Sequence, residues 1–408
     1  MIWQFASRYF WARKSTNAIN IIAWVSVGAI AVGTAALIIV LSVFNGFEGL
    51  VKSLYSSFYP SVKIVPASGK TMLLKPEQLQ QIAKTPGVAH YTEVIEEKAV
   101  ISHVDHQTIA VVKGVDDNYL KVATVQTKLV RGKFETVDDN GYRAVMGIGL
   151  ETALAVDVER SMVPVSVYVP RRGAGADLSS PEQALNNGVI YPAGTFAIQQ
   201  DFDSKYVLTH IDFMRSLLDM RPDEMSAVEV AITRESGDRA VQKRLRELLG
   251  DNVKVLTRFE QNQTLYNIMR TEKWVTYVFL SFILVVAAFN MLGSLSMLVL
   301  EKRKDITILK AMGSTDGRIQ RIFLSEGLII AGMGSLIGIS LALVVLLLQQ
   351  HFGLIKLGGD SFLIDAFPVD MHPDDFLLVA GTVVVIGFLA GWVPSKRASA
   401  QPIDLKAT

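Results

Sequence analysis

Four long uncharged apolar runs, arranged one plus three, predict an α-helical integral membrane protein of four transmembrane helices with a large α+β domain inserted between the first and second. The first run, Ile19 to Phe44, stands alone near the N-terminus, and the other three crowd the last third of the chain. No Asp, Glu, Lys or Arg falls between Lys14 and Glu48, Lys273 and Glu301, Glu326 and Lys356, or Asp375 and Lys396. A spanning helix needs about 20 apolar residues to cross roughly 30 Å of hydrocarbon with its backbone bonded internally, and each run suffices. Buried helices of soluble proteins are usually amphipathic, which these are not.

The predicted segments are 1–18, spans 19–44 and 274–300 bracketing a domain with stalks at 45–273, a loop at 301–326, a span at 327–350, a loop at 351–375, a span at 376–395 and a tail at 396–408. The first run far exceeds the apolar region of a cleaved signal peptide, about 7 to 15 residues, and reads as a retained span. Within the inserted domain, Ser61 to Val65 reads as a strand, and Pro76 opens a helix that Pro86 and Gly87 end. Val88 to His103 and Thr108 to Val115 read as a hairpin across an Asp105-His106-Gln107 turn. Gly149 to Val156, Ile211 to Met220 and Asp238 to Leu249 read as helices, and Pro164 to Val169, Ala227 to Thr233 and Val253 to Leu256 as strands. Arg171 to Gly188, rich in Gly, Ser and Asn, reads as a long irregular excursion. Alternating short elements suggest α+β with two lobes. From Phe259 to Leu292 there is neither Pro nor Gly, so the second span either begins as a stalk of roughly 22 Å outside the membrane or breaks near Arg270.

Basic residues set the orientation. Arg8, Arg13 and Lys14 precede the first span, Lys302, Arg303, Lys304, Lys310, Arg318 and Arg321 lie between the second and third, and Lys396, Arg397 and Lys406 follow the fourth. The loop between the third and fourth carries Lys356 against Asp360, Asp365, Asp370, Asp374 and Asp375. The positive-inside rule therefore puts both termini and the basic loop in the cytoplasm and the inserted domain outside. The net charge of +1 hides this asymmetry and gives no pointer to nucleic acid. With no cysteine, the chain has neither a disulfide scaffold nor a thiolate site.

Candidate chemistry is sparse. Ser68-Gly69-Lys70-Thr71 has the end of a phosphate-binding loop, but Ile64 stands where its first Gly is required and Pro76 opens the next helix, so it reads as a polar turn. His103 and His106 flank Asp105, yet a closed zinc site wants four ligands and no companion cluster appears, so these read as a solvated turn. No catalytic or metal site emerges, and the chain reads as a non-enzyme whose energy comes from another protein. In the basic loop, Ile306, Ile308, Leu309 and Met312 mark a short helix that Gly313 stops, and Ser314 to Asp316 cap a second with Ile319, Ile322 and Phe323. This helix-Gly-helix either lies on headgroups or seats in a partner's groove. Ala29 with Gly33, Gly334 with Gly338 and Gly387 with Gly391 suggest closely packed spans.

Three stretches carry a resemblance. Val40-Leu41-Ser42-Val43-Phe44-Asn45-Gly46-Phe47-Glu48 ends the first span; Ala287-Ala288-Phe289-Asn290 lies in the second, followed by Glu301-Lys302 and Ile308-Leu309-Lys310-Ala311-Met312-Gly313; and Pro394-Ser395-Lys396-Arg397-Ala398 with Pro402 and Leu405 ends the chain. In order and spacing they resemble the permease subunits of lipoprotein-releasing ABC transporters, the LolC and LolE type, within the wider MacB and FtsX permease superfamily. The resemblance implies a multi-pass protein of the bacterial inner membrane with a MacB-like periplasmic domain. It also implies a second permease subunit, the same or different, and a separate cytoplasmic LolD-like ATPase that carries ATP and Mg, this chain needing no cofactor. The substrate would be acylated lipoprotein drawn from the membrane lipid and passed to a LolA-like periplasmic chaperone. Val40, Val43, Phe44 and Phe47 of the first span and Phe282, Val286, Phe289 and Asn290 of the second would line the acyl-chain cavity. Lys302, Asp305, Ile308, Leu309, Lys310, Ala311, Met312 and Gly313 would couple to the ATPase. In the family's chaperone-recruiting subunit an excursion follows a strand ending in Val-Pro; here Val169-Pro170 leads into Arg171, Arg172 and Asp177, the implied chaperone contacts, although the segment does not read as a hairpin. A MacB-like exporter or an FtsX-like signalling permease are the other readings; the first usually carries its ATPase on the same chain and the second has a smaller outer domain.

Overall fold

The computed structural model describes residues 17–160, 163–171, 185–356 and 366–401. Arg172, Asp177, Arg8, Arg13, Lys14, Lys406, Asp360, Asp365, Pro402 and Leu405 lie outside the described residues. In chain order the elements are α1 (Asn17–Phe58), β1 (Val62–Pro66), β2 (Met72–Leu73), α2 (Pro76–Lys84), β3 (Val88–His103), β4 (His106–Val115) and α3 (Tyr119–Val122). Then come β5 (Leu129–Gly132), β6 (Val137–Asp138), β7 (Gly141–Gly147), α4 (Ile148–Ala153), β8 (Val165–Pro170), β9 (Leu185–Phe196), α5 (Gln200–Asp203), β10 (Tyr206–His210) and α6 (Ile211–Leu217). The rest are β11 (Glu224–Met225), β12 (Ala227–Ile232), α7 (Asp238–Leu249), β13 (Val253–Thr257), α8 (Arg258–Gln261), α9 (Gln263–Glu301), α10 (Arg303–Ala311), α11 (Asp316–Phe352) and α12 (Pro373–Ser399).

The described residues divide into two compact units, one of 17–50, 267–356 and 366–401, the other of those between 51 and 266. In the first, four helices among the described residues are long and apolar enough to cross a membrane: Ile21–Phe58, Gln263–Glu301, Asp316–Phe352 and Pro373–Ser399. Their shared core comprises Val27, Ile30, Leu37, Ile38 and Leu41 of α1, Leu284, Ala287, Met291 and Leu295 of α9, Ile330, Ala331, Ala342 and Leu346 of α11, and Val379, Val383 and Ala390 of α12. Small residues make the close approaches. A Cβ on Gly334 would meet Ile30 at 2.8 Å, and one on Gly387 would meet Ala331 at 2.6 Å. With no hydrophobic drive between helices in lipid, such packing and buried bonds like Ser26 Oγ to Ser294 Oγ, 2.9 Å, hold spans together.

Two expectations for this unit are corrected. The helix after Gly313 is not separate from the third span: α11 starts at Asp316 and runs unbroken to Phe352, so Ile319, Ile322 and Phe323 belong to the spanning helix itself. The helix of the second span starts four residues later than expected, at Gln263 rather than Phe259, and runs unbroken from there to Glu301. Thr257 and Glu260 form a reciprocal capping box over α8, and Asn262 (φ −130°, ψ 38°) breaks the helix before α9 begins at Gln263.

The inserted unit is α+β with two lobes that share the 16-residue strand β3. One lobe orders its strands β13-β1-β12-β3 and packs α2 and α7 against them over Val62, Ile64, Leu79, Ile82, Val228, Val230, Val241, Leu245 and Val255. In the other, β3-β4-β10-β7-β9-β8 pair in sequence and β8 returns to β3, closing a ring of strands. The ring packs around Ile95, Ile101, Val112, Met146, Val165, Val167 and Ile190, and β5 adds to it as an edge strand beside β9. The hairpin turn is shorter than expected: β4 begins at His106, and Val104 takes φ 52°. His103 is buried with Nδ1 3.1 Å from the Leu154 carbonyl, not part of a solvated turn, whereas His106 is exposed.

The expected excursion at Arg171 to Gly188 is corrected only at its far end, residues 172–184 lying outside the described residues, because β8 and β9 form an antiparallel ladder from Val165↔Ile190 to Pro170↔Leu185. Asn186, Asn187 and Gly188 are therefore strand residues. Asn186 donates from Nδ2 to the Leu217 carbonyl at 2.8 Å, and a Cβ on Gly188 would strike the Phe213 ring at 2.8 Å, which explains why polar and small residues sit in this strand.

Candidate functional site

Three places carry the residues singled out by sequence. The first is one end of the helical unit. Asn45 is buried in α1; its Nδ2 donates to Asp375 Oδ2 at 2.6 Å, and Lys273 Nζ donates to Asn45 Oδ1 at 2.7 Å. Lys273 also lies 3.2 Å from Asp375 Oδ1, so one amide bridges a charge pair reaching from α9 to α12. The adjoining segment crosses α1 at the same level, with Asp370 N donating to the Ser42 carbonyl at 3.0 Å and Asn45 Nδ2 to the Asp370 carbonyl at 3.3 Å. Gly46 leaves room for that crossing, since a Cβ there would run into the Pro368 carbonyl and lie 2.7 Å from Val369 N. In the sequence Asn45 and Gly46 stand inside the Val40 to Glu48 stretch, and Lys273 and Asp375 bound apolar runs, Asp375 also counting among the acids of the loop before the last span. Their signal was that each is the last charge before an apolar run.

Of the expected cavity residues, Val40, Val43, Phe44 and Phe47 are half-buried on α1, and Phe282, Val286, Phe289 and Asn290 are exposed on α9. Phe282, Val286 and Phe289 belong to an exposed apolar stripe with Val275, Val278 and Phe279, opposite the face carrying Leu284, Ala287 and Met291 into the core. A small pocket among the four helices is lined by Ile30, Leu284, Ala288, Met291, Ala331, Val383, Ile386 and Gly387, none of them an expected cavity residue.

The second place is α10 and its turn. Gly313 takes φ 87° while Ser314 N bonds the Leu309 carbonyl and Gly313 N the Lys310 carbonyl, a left-handed stop of the predicted kind. The helix has two faces. Ile306 is buried with Val299, Ile319, Phe323 and Ala398, whereas Ile308 and Met312 are 57% and 71% exposed. Lys302 lies 3.4 Å from Asp305, and Leu309 is half-buried while Ala311 and Gly313 are exposed. Lys310 turns inward to the carbonyls of Ser399 and Gln401 and to Asp316.

The third place is the β8–β9 hairpin. Arg171, at its described end, donates from Nε to Asn186 Oδ1 at 3.0 Å.

Sequence reading missed a charge cluster in the inserted unit. Lys63, Glu229, Glu96 and Lys113 come from β1, β12, β3 and β4, with Lys113 Nζ 2.8 Å from Glu229 and Lys63 Nζ 3.1 Å from Glu96. Lys113 and Glu229 are each 1% exposed, and Lys113 Nζ sits 4.6 Å from the ring centre of Phe58 and 4.9 Å from that of Tyr119. Burial raises the Glu96 carboxyl, but the charges of Lys63 and Lys113 outweigh it and hold it down to about 2.

The MacB-like periplasmic core domain matches residues 23–248, and the FtsX-like permease C-terminal region matches residues 277–403. The lipoprotein-releasing system transmembrane protein LolC of Neisseria meningitidis serogroup B is 26% identical across 97% of this chain and 96% of its own. The corresponding LolE of Haemophilus influenzae is 24% identical across 96% and 95%. Among solved structures, the periplasmic region of MacB from Actinobacillus actinomycetemcomitans aligns with 54% of this chain and 98% of its own at a TM-score of 0.38 and 13% identity. With the first of these families matched over more than half of its residues and the second following it, the chain belongs to the MacB/FtsX permease family and is similar from end to end to LolC and LolE.

Proposed function

We propose that this chain is the permease subunit of an ABC transporter that extracts acylated lipoproteins from the outer leaflet of the bacterial inner membrane and passes them to a periplasmic chaperone. The observation that carries it is the end-to-end similarity to LolC and LolE, which runs through both the inserted domain and the helical unit. In this reading a second permease subunit, identical or related, pairs with this one, and a separate cytoplasmic ATPase supplies ATP and Mg. Both termini and the α10 turn face the cytoplasm, because the basic residues gather there, and the inserted domain is periplasmic. The exposed stripe of Phe282, Val286 and Phe289 and the half-buried Val40, Val43, Phe44 and Phe47 suit acyl chains, since each buried methylene contributes about 0.8 kcal/mol. The outward Ile308 and Met312 suit an apolar groove on the ATPase.

Depleting the protein is expected to leave lipoproteins in the inner membrane, read by separating inner and outer membranes and blotting for an acylated marker. Normal sorting after depletion would reject lipoprotein release in favour of an exporter or a signalling permease. The β8–β9 hairpin is the proposed chaperone dock. Because Leu185 to Gly188 belong to β9, the right deletion is 172–184 with a short Gly-Ser bridge, and it is expected to lower chaperone capture at least tenfold while the ladder folds. Undiminished capture would remove the hairpin from the mechanism.

A further inference from the structure

The ammonium of Lys310 has three donors and meets three acceptors: the carbonyls of Ser399 and Gln401, each at 2.7 Å, and Asp316 Oδ1 at 2.8 Å. Its side chain is only 10% exposed. A lysine at a membrane face ordinarily extends toward headgroups and water, and this one is folded back into the protein. Two of its acceptors lie at the C-terminus of α12, where carbonyls lack intrahelical donors and the helix dipole favours a cation. The third lies in the first turn of α11. Four residues earlier on α10, Ile306 packs against Ile319 and Phe323 of α11 and Ala398 of α12, so the same face makes both a polar and an apolar attachment to the same two helices. The opposite face presents Ile308 and Met312.

We infer that Lys310 is a positioning residue: it joins the ATPase-facing helix α10 to the start of α11 and the end of α12, so that a push on the outward face of α10 reaches the last two spans. The inference rests on the reading of α10 as the ATPase contact. It separates two roles that the stretch Ile308-Leu309-Lys310-Ala311-Met312-Gly313 combines, with Ile308 and Met312 holding the ATPase and Lys310 transmitting its movement. Without the strut, α10 keeps its outward face and the apolar contact of Ile306 but loses its polar link to α11 and α12, beside a turn whose Gly313 already sits at φ 87°.

The test uses the full chain purified with its ATPase. Lys310→Met is expected to retain the ATPase at parental stoichiometry and leave KM for ATP within about twofold, while substrate-stimulated kcat and lipoprotein release fall about tenfold. Lys310→Arg is expected to recover at least half of that loss, and Asp316→Asn, which keeps an acceptor oxygen but removes its charge, to fall in between. The chain has no cysteine, so a spin-label pair at Thr307 and Ala400 reports the attachment directly: its distance distribution is expected to be narrow in the parent and broad in Lys310→Met, even if that variant is poorly stable. Loss of the ATPase from the Lys310→Met complex would make Lys310 a docking residue and overturn the inference, as would parental coupling or an unchanged distance distribution. Ile308→Asp with Met312→Asp is the separate control, expected to release the ATPase; if it does not, the reading of α10 as the ATPase contact fails independently of Lys310.

Discussion

Lys113→Met will lower the unfolding free energy of the inserted domain by about 3–5 kcal/mol, the loss expected when one partner of a buried ion pair is removed and the other is left uncompensated. Two carboxylates would then share one cation: Glu229, 1% exposed, loses Lys113 at 2.8 Å and keeps only Lys63 at 3.5 Å, which also pairs with Glu96 at 3.1 Å. Methionine keeps the apolar stem beneath Phe58 and Tyr119, so the measured loss reports charge rather than packing. The double variant Lys113→Met with Glu229→Leu removes both charges, leaves Lys63 paired with Glu96 at 3.1 Å, and is expected to regain most of the loss. Pulse proteolysis of the detergent-solubilised chain across a urea series measures all three. A single-variant cost below about 1 kcal/mol would mean the site is hydrated and the argument wrong.

The same cluster sets an acid dependence. A carboxyl whose folded value lies below its usual 4.5 contributes stability above 4.5 and loses it as the pH falls toward the folded value, here about 2. The domain is therefore expected to keep this contribution at pH 5 and to lose it progressively between about 4.5 and 2, and Glu96→Gln should flatten that segment of the stability curve.

None of this was legible in the sequence, and the reason is topological. Residues 63, 96, 113 and 229 have no common spacing; they meet because the strand order β1-β12-β3-β4 sets Lys63 opposite Glu229 and Glu96 opposite Lys113. What could be read depended on local chemistry. Apolar runs located the spanning helices, Pro76 opened α2, and the alternation from Val88 to Val115 gave the β3–β4 hairpin. The β8–β9 ladder escaped because Asn186 and Gly188 look like loop residues, and only contacts with Leu217 and Phe213 make them suitable for a strand. Likewise the inward turn of Lys310 could not be separated from the basic character of its loop, since two of its three acceptors are backbone carbonyls 89 and 91 positions away, which no residue type announces.

Gly46→Val is expected to abolish lipoprotein release, at least tenfold below the parent, with the chain still inserted. Other described glycines of the helical unit have open space around the Cβ position or face side chains, Gly33 the flexible end of Leu284 at 2.8 Å, while Gly338 meets the Ala31 carbonyl of α1 at 2.5 Å. At Gly46 the nearest atoms are all backbone. A Cβ there would overlap the Pro368 carbonyl and lie 2.5 Å from its carbon, so the crossing segment must lift off α1. Lifting it breaks the bond from Asp370 N to the Ser42 carbonyl and withdraws the Asp370 carbonyl from Asn45, while Asn45 also holds Lys273 and Asp375. Overpacking alone costs about 1–3 kcal/mol, and the unmet polar groups add to it, each buried one by about 1–3 kcal/mol. Alanine at the same position imposes the first contact with less bulk and is expected to give a partial loss, whereas Gly49, which has open space around its Cβ position, should accept alanine with full activity. Membrane fractionation of an acylated marker reads function, and a thermal scan in detergent reads stability. If Gly46→Val releases lipoprotein as well as Gly49→Ala does, the crossing at Pro368 is not part of the working conformation, and the Asn45–Lys273–Asp375 link would have to be tested by Asn45→Ala alone.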